Sequence, residues 1–245
     1  MALVEICSGS LNSAIAAFKG GAHRIELCDN LYEGGTTPSY GCLKKAGELI
    51  DIPVNVLIRP RGGDFCYNAN ELAVMKEDIL LCKDLEMNGV VIGMLREDGK
   101  IAVDKVAELT ELARPLSVTF HRAFDMVTDP ISSLEELISI GIDRILTSGQ
   151  KESAVLGTEL IKKLIDKAGR DIIILPGGGL NVENIKDFAN DVGASEYHAT
   201  CRSAVTSPMK FRNPEVTMGG LHQIPEYEIL ETDADKVRRF VSVVS

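Results

Sequence analysis

Two short phrases near the start of the chain, Glu5-Ile6-Cys7 and Glu26-Leu27-Cys28, place an acid and a thiol two residues apart, and do so twice. Each ends an apolar-rich run that has the look of a β-strand. On a strand, side chains at i and i+2 share a face, so Glu5 with Cys7, and Glu26 with Cys28, point the same way. Two carboxylates and two thiols then converge. Burying such groups without partners is costly, so this is more polar chemistry than an ordinary pair of core strands carries.

Further reactive residues finish other strand-like runs. Ile58-Arg59-Pro60-Arg61-Gly62-Gly63-Asp64-Phe65 holds two arginines around a proline, which excludes helix, and its glycines let backbone approach a ligand. Arg59 and Arg61 therefore read as an anion clamp, or Arg59 simply neutralises Glu5 or Glu26. Phe120-His121-Arg122-Ala123-Phe124-Asp125 offers an imidazole able to move protons or bind metal, with Asp125 placed to fix its tautomer or to pair with Arg122. His198 ends another run, and the chain has only four histidines. Pro176-Gly177-Gly178-Gly179-Leu180-Asn181 can expose backbone N–H groups to a phosphate or carboxylate, with Gly177 and Gly178 nearest it and Arg202 assisting from the next loop. A tight turn alone would also require those glycines. Thr147-Ser148-Gly149 and the stretch Glu33-Gly34-Gly35-Thr36-Thr37-Pro38-Ser39 add hydroxyls and pliable backbone.

These residues need a scaffold that gathers strand ends. Eight strand-like runs recur along the chain: Leu3 to Cys7, Arg24 to Cys28, Val54 to Arg59, Gly89 to Met94, Leu116 to His121, Arg144 to Thr147, Ile172 to Pro176 and Ser195 to His198. Between most of them lie segments with apolar residues at three and four spacing, as in Leu134, Leu137, Ile138. Asp129-Pro130 reads as an N-cap followed by an N1 proline, and Asn181 as a cap for a helix beginning at Val182. Glycine stops recur in one turn written three times, at Gly21-Ala22-His23-Arg24-Ile25, Gly141-Ile142-Asp143-Arg144-Ile145 and Gly193-Ala194-Ser195-Glu196-Tyr197. Strand alternating with helix predicts a parallel sheet, and eight units in 245 residues predict an α/β TIM (β/α)8 barrel spanning residues 1–245 as a single domain. A doubly wound sheet is the alternative, but the chain has neither a dinucleotide fingerprint nor a Walker A sequence. A long irregular segment, Thr200 to about Thr232, follows the eighth strand and is expected to act in function or to pack across a barrel end or a partner subunit.

The 36 acidic and 26 basic residues give a net charge of −10, which repels polyanions and excludes non-specific nucleic-acid binding. With no apolar run long enough for a membrane span and no secretory n-region and h-region, the expected location is cytoplasmic. The six cysteines stand at 7, 28, 42, 66, 82 and 201 in a chain too core-rich to be a disulfide scaffold, and none has zinc-like spacing. They read as reduced thiols, with Cys42 and Cys82 on helical stretches as small buried hydrophobes.

Taken together, Glu5-Ile6-Cys7, Arg24-Ile25-Glu26-Leu27-Cys28, the stretch from Glu33 to Ser39, Ile58 to Phe65, Val118 to Asp125, Leu146 to Gly149, Pro176 to Gly179 and Met209-Lys210-Phe211-Arg212-Asn213 resemble the CutC family of copper homeostasis proteins, over about residues 2–220. The resemblance implies a TIM barrel, a role in cytosolic copper handling, Cu(I) on the thiols of Cys7 and Cys28, no organic cofactor, and a homodimer. Soft Cu(I) favours thiolates, and adjacent strands lie about 4.8 Å apart, close enough for both sulfurs to share an ion. A copper carrier has no need of Glu5, Glu26, Arg59, Arg61, His121, His198 and a glycine-rich anion loop aimed at one pocket, however. That set also fits an enzyme acting on a small phosphate- or carboxylate-bearing metabolite, with an acid or imidazole as base and arginine facing the negative charge.

Overall fold

A computed structural model describes residues 2–216, 218 and 224–244. Eight parallel strands form one sheet rolled into a barrel: β1 (Leu3–Ser8), β2 (Arg24–Leu27), β3 (Val54–Leu57), β4 (Gly89–Ile92), β5 (Ser117–Phe120), β6 (Arg144–Thr147), β7 (Ile173–Pro176) and β8 (Glu196–Ala199). Hydrogen-bonded neighbours run β7-β6-β5-β4-β3-β2-β1-β8, and β7 and β8 meet side by side at the seam. Helices α1 (Leu11–Lys19), α2 (Tyr40–Leu49), α3 (Ala69–Asp84), α4 (Val103–Ala113), α5 (Pro130–Ser139), α6 (Thr158–Ala168) and α7 (Ile185–Val192) follow the first seven strands, and α8 (Ala234–Val244) closes the chain. The TIM-barrel expectation holds strand by strand. No helix among the described residues is long and apolar enough to cross a membrane.

The period of two sorts each strand into an outer and an inner face. Outward residues such as Val4, Ile6, Ile25, Leu27, Val90, Ile92, Val118 and Phe120 join the large core beneath the helices. The inner face behaves differently at its two ends. Toward the amino ends of the strands it is filled by ions: Arg24 binds both Glu5 and Glu196, and Arg144 donates to Glu196 at 3.1 Å and to Ser117 at 2.7 Å. Above them Cys7, Cys28, Leu57 and Val91 form a small apolar cluster of their own.

Local signals set the helix starts. Ser10 caps α1, Ser39 caps α2, Asn68 and Glu71 form a capping box on α3, and Asp129 accepts two backbone N–H groups ahead of Pro130. Asn181 departs from expectation: its side chain accepts from Glu183 and Asn184 N–H in a turn, and α7 begins only at Ile185. The segment after β8 is not irregular throughout. Residues Arg202–Thr206 (β9) and Glu228–Thr232 (β10) pair as an antiparallel ribbon, with Arg202 opposite Thr232. Most of β9 and β10 stays at least partly exposed on both faces, so the strands carry no alternation of apolar and polar residues to announce them. Within the same stretch, residues 217 and 219–223 lie outside the described residues.

Candidate functional site

The carboxyl ends of the strands open into a cavity of about 780 Å³ lined by, among others, Cys7, Glu26, Arg59, His121 and His198. Five inner-face residues from five strands or their immediate continuations therefore meet in one space, as barrel geometry requires.

The two thiols lie at its floor. Cys7 Sγ is 3.5 Å from Cys28 Sγ, and both are buried. Cys7 lines the cavity while Cys28 sits behind it, its sulfur 3.5 Å from the carbonyl of Ser8. The adjacent Cys28 thiol, then burial, push the Cys7 thiol well above its ordinary range. His198 Nε2 is 3.0 Å from Glu26 Oε2 and 3.9 Å from Glu5 Oε1. Burial alone would discharge His198, but the Glu26 carboxylate outweighs it and raises the imidazole well above its usual range; burial likewise opposes Glu26, and the imidazolium holds it down. The pair is thus an ion pair. Donor atoms of Cys7, Glu26 and His198 all fall within 4.8 Å of one another, a spacing that suits a metal ion.

Arg59 does not neutralise either acid. Glu5 is taken by Arg24 and by Asn55 at 3.4 Å, Glu26 by His198. The Arg59 guanidinium is instead spread over backbone carbonyls of two loops, Glu33 at 2.8 Å, Gly35 at 2.6 Å and Gly63 at 2.8 Å, and lies 5.1 Å from the centre of the Phe65 ring. Its Nε has no hydrogen-bond partner among the described residues. His121 accepts the Ala123 N–H on Nδ1 at 3.1 Å, which puts the proton of the neutral ring on Nε2. Burial, reinforced by the Arg59 charge, lowers this imidazole to about 4. Asp125 leaves the tautomer alone: it pairs with Arg122 at 2.7 Å and accepts from Ser148. Gly93 makes room for the ring, since a Cβ there would lie 2.4 Å from His121 Cε1.

The remaining expected residues divide. Gly178 and Arg202 line the cavity. Gly177 does not: its N–H is used by Thr147 O at 2.9 Å, and its missing Cβ lets Leu146 and His198 close in, at 2.6 and 2.9 Å from where one would stand. Arg61 turns away to Asp64 and Glu71 and packs over Tyr67, lining a separate, smaller cavity. Two contributors were missed. Lys236 reaches the cavity from α8 and donates to Arg202 O at 2.8 Å. Arg24, the true partner of Glu5, stands two residues before Glu26 on the same face, a spacing visible in the sequence.

Known proteins place this geometry in context. The model of the CutC family matches residues 2–203. A mouse protein described as "Copper homeostasis protein cutC homolog" is 50% identical over 236 residues, covering 96% of this chain and 87% of its own, and a human one of the same description is 49% identical over 236 residues, covering 96% and 86%. The crystal structure of a CutC copper homeostasis protein from Streptococcus agalactiae superposes with a TM-score of 0.78 at 38% identity, over 82% of this chain and 99% of that one. On the strength of the family match and of relatives this similar over nearly the whole chain, the protein belongs to the CutC family.

Proposed function

We propose that the protein takes part in cytoplasmic copper handling by binding Cu(I) on the thiols of Cys7 and Cys28. One observation carries this reading: two buried sulfurs stand 3.5 Å apart in an apolar cluster at the floor of an open cavity. Cu(I) is soft and selects thiolate donors, and an apolar surround suits it better than it suits a hard, hydrated ion. The spacing fits. Two metal–sulfur bonds of about 2.3 Å each reach across about 4.6 Å at most, so these sulfurs lie within the span of one ion but short of a straight sulfur–metal–sulfur line. A third donor is then favoured, and Glu26, or His198 once its proton is released, stands within 4.8 Å of Cys7 for that part. Cys7 provides the approach, because it faces the cavity and Cys28 does not. The mouse, human and streptococcal proteins bear copper homeostasis in their descriptions, which points the same way.

The test is an anaerobic titration with Cu(I) against a chromogenic chelator of known affinity. Binding of one ion per chain is expected, and its loss in the Cys7→Ser, Cys28→Ser double variant. An unchanged affinity in that variant removes the proposal.

A further inference from the structure

A cavity of about 780 Å³ is far larger than a metal ion needs and matches the range in which small molecules are enclosed. Two residues of its wall, on the β3 and β5 side, also hold buried polar atoms that the copper reading does not use. His121 and Arg59 are each 5% exposed, both line the cavity, and His121 Nε2 and Arg59 Nε have no hydrogen-bond partner among the described residues.

The two are held rather than left loose. Ala123 N–H occupies His121 Nδ1, so the ring can only donate from Nε2, and Phe65 packs against both groups, its ring centre 4.9 Å from that of His121 and 5.1 Å from Arg59 Cζ. Three backbone carbonyls fix the guanidinium, yet no carboxylate of the described residues lies within ion-pair distance of it. A buried cation matched only by carbonyl dipoles is incompletely compensated. The deep end of the cavity holds Arg59 with the mutually neutralising His198 and Glu26, which leaves one net positive charge there. Farther out, Arg122, Arg202 and Lys236 line the mouth together with Glu33, Asp125 and Glu183, Arg122 being paired with Asp125, and the turn at Gly178 and Gly179 keeps open space beside Arg122, whose Cζ would lie 3.3 Å from a Cβ at Gly178.

We propose that the barrel mouth binds a small organic oxyanion, a carboxylate or phosphate monoester, one oxygen of which accepts the hydrogen bond offered by His121 Nε2–H while its charge faces Arg59. Such a ligand gives His121 Nε2–H an acceptor and sets a negative charge against Arg59, and a hydrogen bond to a charged acceptor is the strong kind. The contacts proposed are with His121 and Arg59 rather than with the two sulfurs of the same cavity, so the proposal does not rest on copper binding.

The probe is 2-phosphoglycolate, with glycolate and inorganic phosphate as separate arms that tell carboxylate from phosphate recognition. Histidine-labelled protein followed by long-range proton–nitrogen correlation should first show His121 as the neutral Nε2–H tautomer. Millimolar 2-phosphoglycolate should then shift that nitrogen in a saturable way. The same response is expected in the Cys7→Ser, Cys28→Ser variant, which separates this site from the copper site. His121→Asn preserves an acceptor for Ala123 N–H and should weaken binding roughly tenfold or more. A neutral Nδ1–H tautomer, shifts of other histidine nitrogens with none at His121, or no saturation by any of the three probes up to about 20 mM, weaker than the millimolar range in which such contacts register, overturns the proposal.

Discussion

Replacing His121 by Asn should change how stability depends on pH, and the size of the change follows from the fold. In the native protein the ring is buried, faces the Arg59 charge and stays neutral down to about 4; in the unfolded chain it takes a proton near 6.5. Between those values the unfolded state binds more protons than the folded one, so stability falls as pH falls. The whole interval is worth about 3 kcal/mol, and about 2 kcal/mol of it is felt between pH 7 and pH 5. Asn has an oxygen where His121 presents Nδ1, so it can still accept from Ala123 N–H, but it does not titrate. Its loss of ring volume adds a cost that does not vary with pH. Urea unfolding of both proteins at the two pH values isolates the effect: relative to the variant, the wild type should lose about 2 kcal/mol on going to pH 5, while all shared titrations cancel. A gap constant to within about 0.5 kcal/mol would show that this imidazole is not held neutral, and the reasoning from burial and Arg59 would fail.

Two further outcomes can be measured directly. Arg24→Met removes the guanidinium that Glu5 and Glu196 share inside the barrel and should destabilise by about 3–5 kcal/mol in denaturant unfolding, since buried carboxylates lose their cation; a loss under about 1 kcal/mol would mean that Asn55 and Arg144 suffice. Cu(I) affinity, corrected for the chelator's own titration, should rise with pH by about tenfold or more per unit from pH 6 to pH 8, because the Cys7 thiol is held well above its ordinary range and must release its proton to bind; a flat profile would show that this thiol is not a ligand.

How far the sequence carries depends on what a period of two can encode. It tells which face a residue takes, and on that basis Cys7, Glu26, Arg59, His121 and His198 were correctly expected to share one space. It does not tell height along the barrel axis, which is set by register. Glu5 lies opposite Arg24 and Cys7 opposite Glu26, so the two acids of the repeated phrase sit at different levels, one sealed by arginine and the other by imidazolium. Arg59, expected as a possible counter-ion to either, stands beyond the reach of both because it follows the end of β3 and is captured by the loops around Glu33 and Gly63. Arg61 reads like Arg59 in sequence yet points elsewhere, since Pro60 turns the chain between them and Glu71 at the start of α3 supplies a nearer partner. Gly177 illustrates another limit: a glycine needed for anion contact and one needed so that His198 can pack are the same letter.

The distribution of satisfied and unsatisfied groups along the barrel axis bears on where function resides. Below the thiols, charges that would be ruinous alone are matched: Arg24, Arg144, Glu5 and Glu196 form a closed set, with Ser117 and Asn55 attached. That end resembles a core made of ions, and its residues are bound by geometry to their partners. Above, the pattern reverses. The thiols have each other and one carbonyl, His121 keeps a donor with no acceptor, and Arg59 keeps a charge with no acid. Three further buried atoms have no hydrogen-bond partner among the described residues: Thr119 Oγ1 on β5, Tyr67 Oη ahead of α3, and Glu5 Oε1, which lies 3.9 Å from His198 Nε2 at the boundary between the two ends. A folded chain keeps buried polar groups unpaired only where something offsets their cost, and two of these five, on Arg59 and His121, stand at the carboxyl ends of the strands, the face on which barrels carry their chemistry. If copper and an oxyanion bind as proposed, stability and recognition divide by height within one barrel: the sealed ionic layer can hold the strands in register while the layer above it binds.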